Sequence, residues 1–304
     1  MSLKINASAD IIRNYSYLIS HLAGTDLIPA KNKRKFMLSE MELRFINEDA
    51  LTNLWCTFEP NALDGMDAQF INQVGSDDYG IFSPWFDDGD LIDITIDDYS
   101  QDYYAIPKLT GKEAVSEPYW EHVNDKEVLM ISFSAPVILN DTFLGVVGTD
   151  FYIDILRETI HLHNRLGNNK FVTDNGVIVL HNNPELIGER DDSNYEEIIN
   201  KLSSNEIYDD FFISENGNKI YKVFIPVWFG KTEKPWLYIV EIPAKQIYSD
   251  VRKIISIAVI AVLFFVFLVY FYIYHQRQKM NELIRLKRFL MQHSRNQYGA
   301  RYDF

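Results

Sequence analysis

The sequence is poor in cysteine, poor in basic residues over most of its length, and without an apolar export segment at its start. Cys56 is the single cysteine among 304 residues, so no internal disulfide can form, and the redox compartment is left open. Flanked by Leu54, Trp55, Thr57 and Phe58, Cys56 reads as a small apolar residue of a strand. Positive charge is scarce: the chain carries 29 Lys and Arg against 43 Asp and Glu, a formal charge of −14. The imbalance is uneven, about −21 over residues 1–251 and about +7 over residues 252–304. An acidic surface of this kind repels phosphate backbones, which excludes nucleic acid as a partner of the large part. It also concentrates cationic small molecules, although plain solubility accounts for it equally.

Catalytic signatures are missing too. There is no Walker-type phosphate loop, no Gly-x-Ser-x-Gly elbow and no zinc signature. His161 and His163 are two apart on an expected helix and so point away from each other. The run Asp87-Asp88-Gly89-Asp90 resembles a calcium loop but lacks EF-hand spacing. We expect no enzyme, no metal site and no cofactor in residues 1–304.

What is present in quantity is apolar chain near the C-terminus. Ile254 to Tyr274 holds 21 residues without a charge, and about 20 helical residues cross a bilayer core of about 30 Å. Tyr270, Tyr272 and Tyr274 stand where an aromatic belt belongs. Arg277, Lys279, Arg285, Lys287 and Arg288 follow, outnumbering Lys245, Arg252 and Lys253 on the other side. The positive-inside rule then puts the C-terminus in the cytoplasm and residues 1–250 outside. Met1 to Ser20 has no signal-type apolar core, so an upstream transmembrane helix is expected to precede it. Met280 to Met291 reads as a coiled-coil lead to an output domain, or as a helix lying on anionic lipid.

Before that span the pattern alternates between helical and strand periods. Residues 5–52 read as helix, broken near Gly24 and Pro29 and resuming over Phe36–Phe45. Strands are expected at Leu54–Phe58, Gly80–Phe86 and Leu91–Ile96, with a short helix over Asp64–Val74 and another over Tyr103–Leu109. Val128–Leu139 and Phe143–Thr149 flank Asn140-Asp141 as a hairpin, and Phe151–Asn164 reads as a helix. A second unit follows, with strands at Lys170–Thr173 and Val177–Leu180 around Asp174-Asn175-Gly176. Ser193 and Glu196 form a capping box for a helix ending near Leu202. Strands at Ile207–Ile213, Lys219–Trp228 and Trp236–Ile242 complete it, and Pro243 opens the helix toward the membrane.

Taken in order, several motifs resemble a known family. They are Phe58-Glu59-Pro60-Asn61-Ala62-Leu63-Asp64-Gly65-Met66-Asp67, Gly80-Ile81-Phe82-Ser83-Pro84-Trp85, Asp102-Tyr103-Tyr104, Glu117-Pro118-Tyr119 and Phe143-Leu144-Gly145-Val146-Val147-Gly148-Thr149-Asp150. In the second unit they are Thr173-Asp174-Asn175-Gly176 and His181 through Gly188. The set resembles a double Cache extracytoplasmic sensor, as found in bacterial chemoreceptors, sensor histidine kinases and diguanylate cyclases. The resemblance implies an α+β fold of two stacked PAS-like lobes, antiparallel sheets flanked by helices, on a long N-terminal helix and followed by one transmembrane helix. The expected boundaries are 1–35 for the N-terminal helix, 36–165 for the membrane-distal, ligand-binding lobe and 166–250 for the proximal lobe. The transmembrane helix takes 251–275 and a cytoplasmic stub 276–304. The terminal Ala300 to Phe304 is similar to the lead-in of diguanylate cyclase domains, which implies a cyclic-di-GMP output, with a kinase as the alternative.

Amino-acid sensors of this family carry an Arg-x-Trp-Tyr run and a distal Asp, the Arg and Trp holding a ligand carboxylate, the Tyr and Asp its ammonium. Here the run is Gln101-Asp102-Tyr103-Tyr104 and the Asp is Asp150. The carboxylate holder is gone while the ammonium holders Tyr104 and Asp150 remain. A ligand carboxylate buried without a charged partner costs several kcal/mol, whereas aromatic faces attract a cation by roughly 0.5–2 kcal/mol each. The expected ligand is therefore an amine without an α-carboxylate, with an amino acid or other small metabolite as the alternative. Candidate binding residues are Trp85, Asp102, Tyr103, Tyr104, Tyr119 and Asp150, Asp102 offering a second anion for a diamine. Structural roles compete: Asp150 as the cap of helix 151–164, Asp102 as a solvated or capping residue, Trp85 and Tyr119 as packing. The expected setting is the bacterial inner membrane, as a homodimer. A membrane-tethered enzyme or adhesion module is the competing class.

Overall fold

The computed structural model describes residues 2–299 apart from 88–89, 93–98, 124–125, 154–155, 157–167, 192, 203–205 and 215. Helix α1 (Ser2–Gly24) and helix α2 (Ala30–Asn47) are separated by the expected break, α2 starting directly after Pro29, where a proline-fixed φ suits a helix entry. Among the described residues, twelve strands follow in two antiparallel sheets.

The first sheet has the order β3-β2-β1-β7-β6-β4, with β5 also on β6. Its strands are β1 (Asn53–Phe58), β2 (Trp85–Asp87), β3 (Asp90–Ile92), β4 (Ala114–Val115), β5 (Tyr119–Val123), β6 (Lys126–Leu139) and β7 (Thr142–Tyr152). The β6–β7 hairpin turns on Asn140 and Asp141, both at positive φ (49° and 61°), the two-residue turn whose twist matches the strands. Strand alternation gives this sheet two different faces. Leu54, Cys56, Ile131, Phe133, Ala135 and Val147 belong to the main core with Ile12, Tyr15 and Ile19 of α1 and Met37 and Met41 of α2. The opposite face gathers Trp55, Trp85, Met130 and Val146 under Tyr104 of helix α3 (Asp102–Thr110). Gly111 closes α3 in the left-handed region (φ 67°), its N–H bonded to Pro107 O at 2.9 Å.

Where Asp64–Val74 reads as helix, only one 3-10 turn forms, Asp67–Gln69. Two residues at positive φ inside this stretch, Gly65 (72°) and Asn72 (54°), interrupt the helical path, and a buried arginine takes over the carboxylates. Arg34 of α2 is 2% exposed. It holds Asp64 through Nε at 2.8 Å and Nη2 at 3.0 Å, Asp67 through Nη2, and Ser76 Oγ at 2.9 Å. The loop is wrapped around one guanidinium. The expected strand from Gly80 likewise shortens to β2, and the Leu91–Ile96 strand is described only to Ile92.

The second sheet runs β10-β11-β12-β8-β9, from β8 (Asn168–Val172), β9 (Ile178–His181), β10 (Tyr208–Ile213), β11 (Lys219–Val227) and β12 (Trp236–Pro243). Helix α4 (Tyr195–Lys201) is capped by Asn194, whose side chain accepts from Glu197 N at 3.3 Å, so the cap stands one residue later than the Ser193 box. Aromatic packing joins the sheets: Phe229 lies 6.4 Å from Phe151 of β7 and 4.9 Å from Trp236 of β12, ring centre to ring centre.

Helix α5 (Ala244–Gly299) forms a separate unit from Pro243 onward. Its most apolar 18-residue window has mean hydropathy 3.1 with none of it buried, so it is long and apolar enough to cross a membrane.

Candidate functional site

Four strands place their side chains in register on the α3 side of the first sheet. Trp55 on β1 pairs with Trp85 on β2 and with Gly148 on β7, and Gly148 pairs with Ser134 on β6. Two residues along, Asn53 pairs with Asp87, and Asp150 pairs with Ser132. The result is a polar rung, Asp87–Asn53–Asp150–Ser132, beside an aromatic one. Gly148 is required for the second: a Cβ there would lie 2.2 Å from the Trp55 ring.

Asp150 is the centre of this arrangement. It is 2% exposed and accepts from Asn53 Nδ2 at 2.8 Å, Trp55 Nε1 at 2.9 Å and Ser132 Oγ at 2.6 Å. Its own N–H donates to Asn53 Oδ1 at 2.7 Å, so one asparagine holds both backbone and carboxylate. Because Ser132 spends its proton on Asp150, Tyr119 must donate to Ser132 Oγ, 2.6 Å away. All three donors to the carboxylate are neutral. Among the described residues no cation pairs with it. Burial pushes its carboxyl up to about 6, against the pull of Ser132, Trp55 and Asn53, and the nearby Asp87 adds to the rise.

Aromatic rings form the surroundings. Tyr103 meets the Trp55 ring edge-on at 5.4 Å and the Tyr119 ring at 5.7 Å. Tyr152, two residues past Asp150 and on the same face, donates to the buried Asp87.

The structure thus brings Trp85, Tyr103, Tyr119 and Asp150 together. It places two expected residues elsewhere. Asp102 is exposed at the first turn of α3 and lines a cavity of about 210 Å³ with Glu117, Asp174, Asn175 and Trp236, between the two sheets' lobes. Tyr104 is fully buried, but its hydroxyl donates to Glu59, which Lys108 also pairs at 2.6 Å. Its ring edges onto Tyr99 and Phe143. Tyr104 is a wall of the cluster whose polar end points at another carboxylate. The capping role for Asp150 is corrected as well: β7 continues through Tyr152, so Asp150 lies inside a strand, and most of the expected 151–164 helix falls outside the described residues.

Sequence reasoning missed Asn53, Trp55, Asp87, Ser132 and Tyr152. A signal for them existed in the period-two spacing of polar residues inside strands, Asn53-x-Trp55, Ser132-x-Ser134 and Asp150-x-Tyr152, because buried polar residues must find partners.

Residues 42–158 match the family model described as methyl-accepting chemotaxis protein-like, first PDC sensor domain. The methyl-accepting chemotaxis protein TlpQ of Pseudomonas aeruginosa is 28% identical over 156 residues, 45% of this chain and 22% of TlpQ. The chain therefore spans about a fifth of that relative's length. Among solved structures, methyl-accepting chemotaxis protein X superposes with TM-score 0.62 at 21% identity, covering 80% of this chain and 91% of that one. The periplasmic sensory domain of the Campylobacter jejuni chemoreceptor Tlp1 gives 0.60 at 12% identity, covering 82% and 91%. At such identities the superpositions speak for the fold alone. The matched model describes a sensor domain, and the matched segment brackets every residue of the Asp150 rung.

Proposed function

We propose that the chain is a transmembrane sensor whose distal lobe, residues 36–165, binds a small amine lacking an α-carboxylate against Asp150. One observation carries the reading: a fully buried carboxylate, held among the described residues only by neutral donors and ringed by aromatic side chains. Burying a carboxylate is expensive unless a cation joins it. An ammonium supplies that charge, and the faces of Tyr103, Tyr119 and the tryptophans favour it further. The acidic charge of residues 1–251 steers cations toward the lobe. The proximal lobe, residues 166–250, and the apolar helix then pass the signal on. The basic residues after Tyr274 favour a cytoplasmic C-terminus in a bacterial inner membrane, with residues 1–250 outside and a homodimer as the working unit.

Thermal denaturation of the full chain in nanodiscs tests this, with alkylamines, amino acids and organic acids as probes. A ligand at 100 times its Kd adds about 2.7 kcal/mol of stability. Alkylamines are expected to raise the melting temperature of the native chain and to leave Asp150→Asn unmoved. Stabilisation by amino acids or organic acids, with none from amines, would refute the reading.

A further inference from the structure

The two tryptophans of the aromatic rung are not equivalent. Trp55 donates its indole N–H to Asp150 at 2.9 Å. Trp85, its direct cross-strand partner, is 5% exposed, yet its Nε1 is buried without a hydrogen-bond partner among the described residues. Nor does any ring among the described residues pair with it in the way Tyr103 pairs with Trp55. Register fixes which way it points: paired residues of an antiparallel ladder share a face, so Trp85 stands on the side of the sheet that carries Asp150, within the same cluster as Trp55, Tyr103 and Tyr119. A buried indole N–H is costly to leave unmade, and tryptophan is used in cores where its N–H can reach an acceptor. An ammonium has only donors and cannot satisfy it.

We infer that the ligand carries, besides its ammonium, a hydrogen-bond acceptor that the indole N–H of Trp85 receives. The class is an amine bearing a hydroxyl, ether or carbonyl oxygen, or an unprotonated ring nitrogen. Simple alkylamines bind, but weakly. This deepens the amine reading and rests on it: Asp150 holds the charge, and Trp85 sets specificity. A site built around such a donor rejects the analogue lacking the acceptor far more strongly than an apolar pocket discriminates by size.

Isothermal titration of the full chain in nanodiscs tests the assignment with hexylamine and three isosteres, in which an ether oxygen replaces the third, fourth or fifth methylene from nitrogen. The ether accepts and cannot donate, and chain length stays constant. One isostere is expected to bind about tenfold tighter than hexylamine, an ordinary hydrogen bond's worth. In Trp85→Phe the ratio of ether to hexylamine affinity, read within that variant, should fall to about twofold or less, whatever the change in hexylamine affinity itself. The assignment fails if all three ethers bind no tighter than hexylamine to the native chain, a comparison that stands whatever Trp85→Phe does to folding. It fails equally if the preference survives in Trp85→Phe. Absence of binding by any of the four amines would overturn the amine reading itself, and this inference with it.

Discussion

Asp150 shows what one buried carboxyl does to pH dependence. Burial raises it from the ordinary 3.8 to about 6, and Ser132, Trp55 and Asn53 limit the rise while Asp87 adds to it. A carboxyl raised in the folded state stabilises the fold fully below about 3.8, and that contribution is lost as pH climbs through about 6. The proposed amine binding runs the other way, because an ammonium needs the ionised form. Alkylamine affinity measured by titration calorimetry should therefore be level above about pH 7 and fall by close to tenfold per unit below about pH 6. Asp150→Asn should show weak binding and a flat profile. An unchanged affinity down to about pH 5 in the native chain would remove Asp150 as the charge partner. At this scale the sequence was only partly readable. Motif order singled out Asp150, Trp85, Tyr103 and Tyr119, yet Asn53 and Trp55 reach Asp150 across 97 and 95 residues. Such partners follow from strand register, which no local pattern encodes.

Among elements, the loop between β1 and β2 depends on a single side chain. Arg34 reaches out of α2 to Asp64 and Asp67, whose side chains are 0% and 8% exposed, and its guanidinium lies 4.3 Å from the centre of the Phe70 ring. Removing one partner from a buried ion pair costs about 3–5 kcal/mol, because the charge left behind has no water. Arg34→Met should destabilise the chain by that amount in urea denaturation, with Arg34→Lys between the two, since a lysine keeps the charge but loses the two-pronged contact with Asp64. A loss below about 1 kcal/mol would mean the loop is held by other contacts. The same network explains why this stretch misled a reading by periodicity. Asp64 to Val74 has helical spacing, but its carboxylates are committed to Arg34, thirty residues earlier in the chain. By contrast, α3 and the β6–β7 hairpin were legible because their stop and turn signals, Gly111 and Asn140-Asp141, act within a few residues.

For the two-sheet unit as a whole, residues 1–242, the question is whether the two sheets respond together. One continuous core runs from Ile12 and Ile19 of α1 through Ile131 and Phe151 of the first sheet to Phe171 and Trp236 of the second. Polar contacts reinforce it. Glu113 pairs with Arg13 of α1 through Nη2 at 2.9 Å and accepts the Lys231 N–H at 2.7 Å. Glu117, next to the first sheet, accepts from Thr173 Oγ1 at 3.1 Å and Asn175 Nδ2 at 2.8 Å of the second. A shared core predicts a single cooperative transition rather than two. Phe229 is the test of it, being 1% exposed and in ring contact with Phe151 on one side and Phe171 and Trp236 on the other. Phe229→Ala should cost about 3–5 kcal/mol. Because the cavity opens at the junction, it should also divide urea unfolding into two steps that hydrogen exchange assigns to residues 42–152 and 168–242. Such a division matters for the proposed function: a ligand bound at Asp150, as proposed, would bias the second sheet only while the junction makes both lobes change state together. If Phe229→Ala lowers stability but leaves one coincident transition, α1 and the Glu113 and Glu117 contacts suffice to couple the lobes, and the aromatic junction serves packing alone.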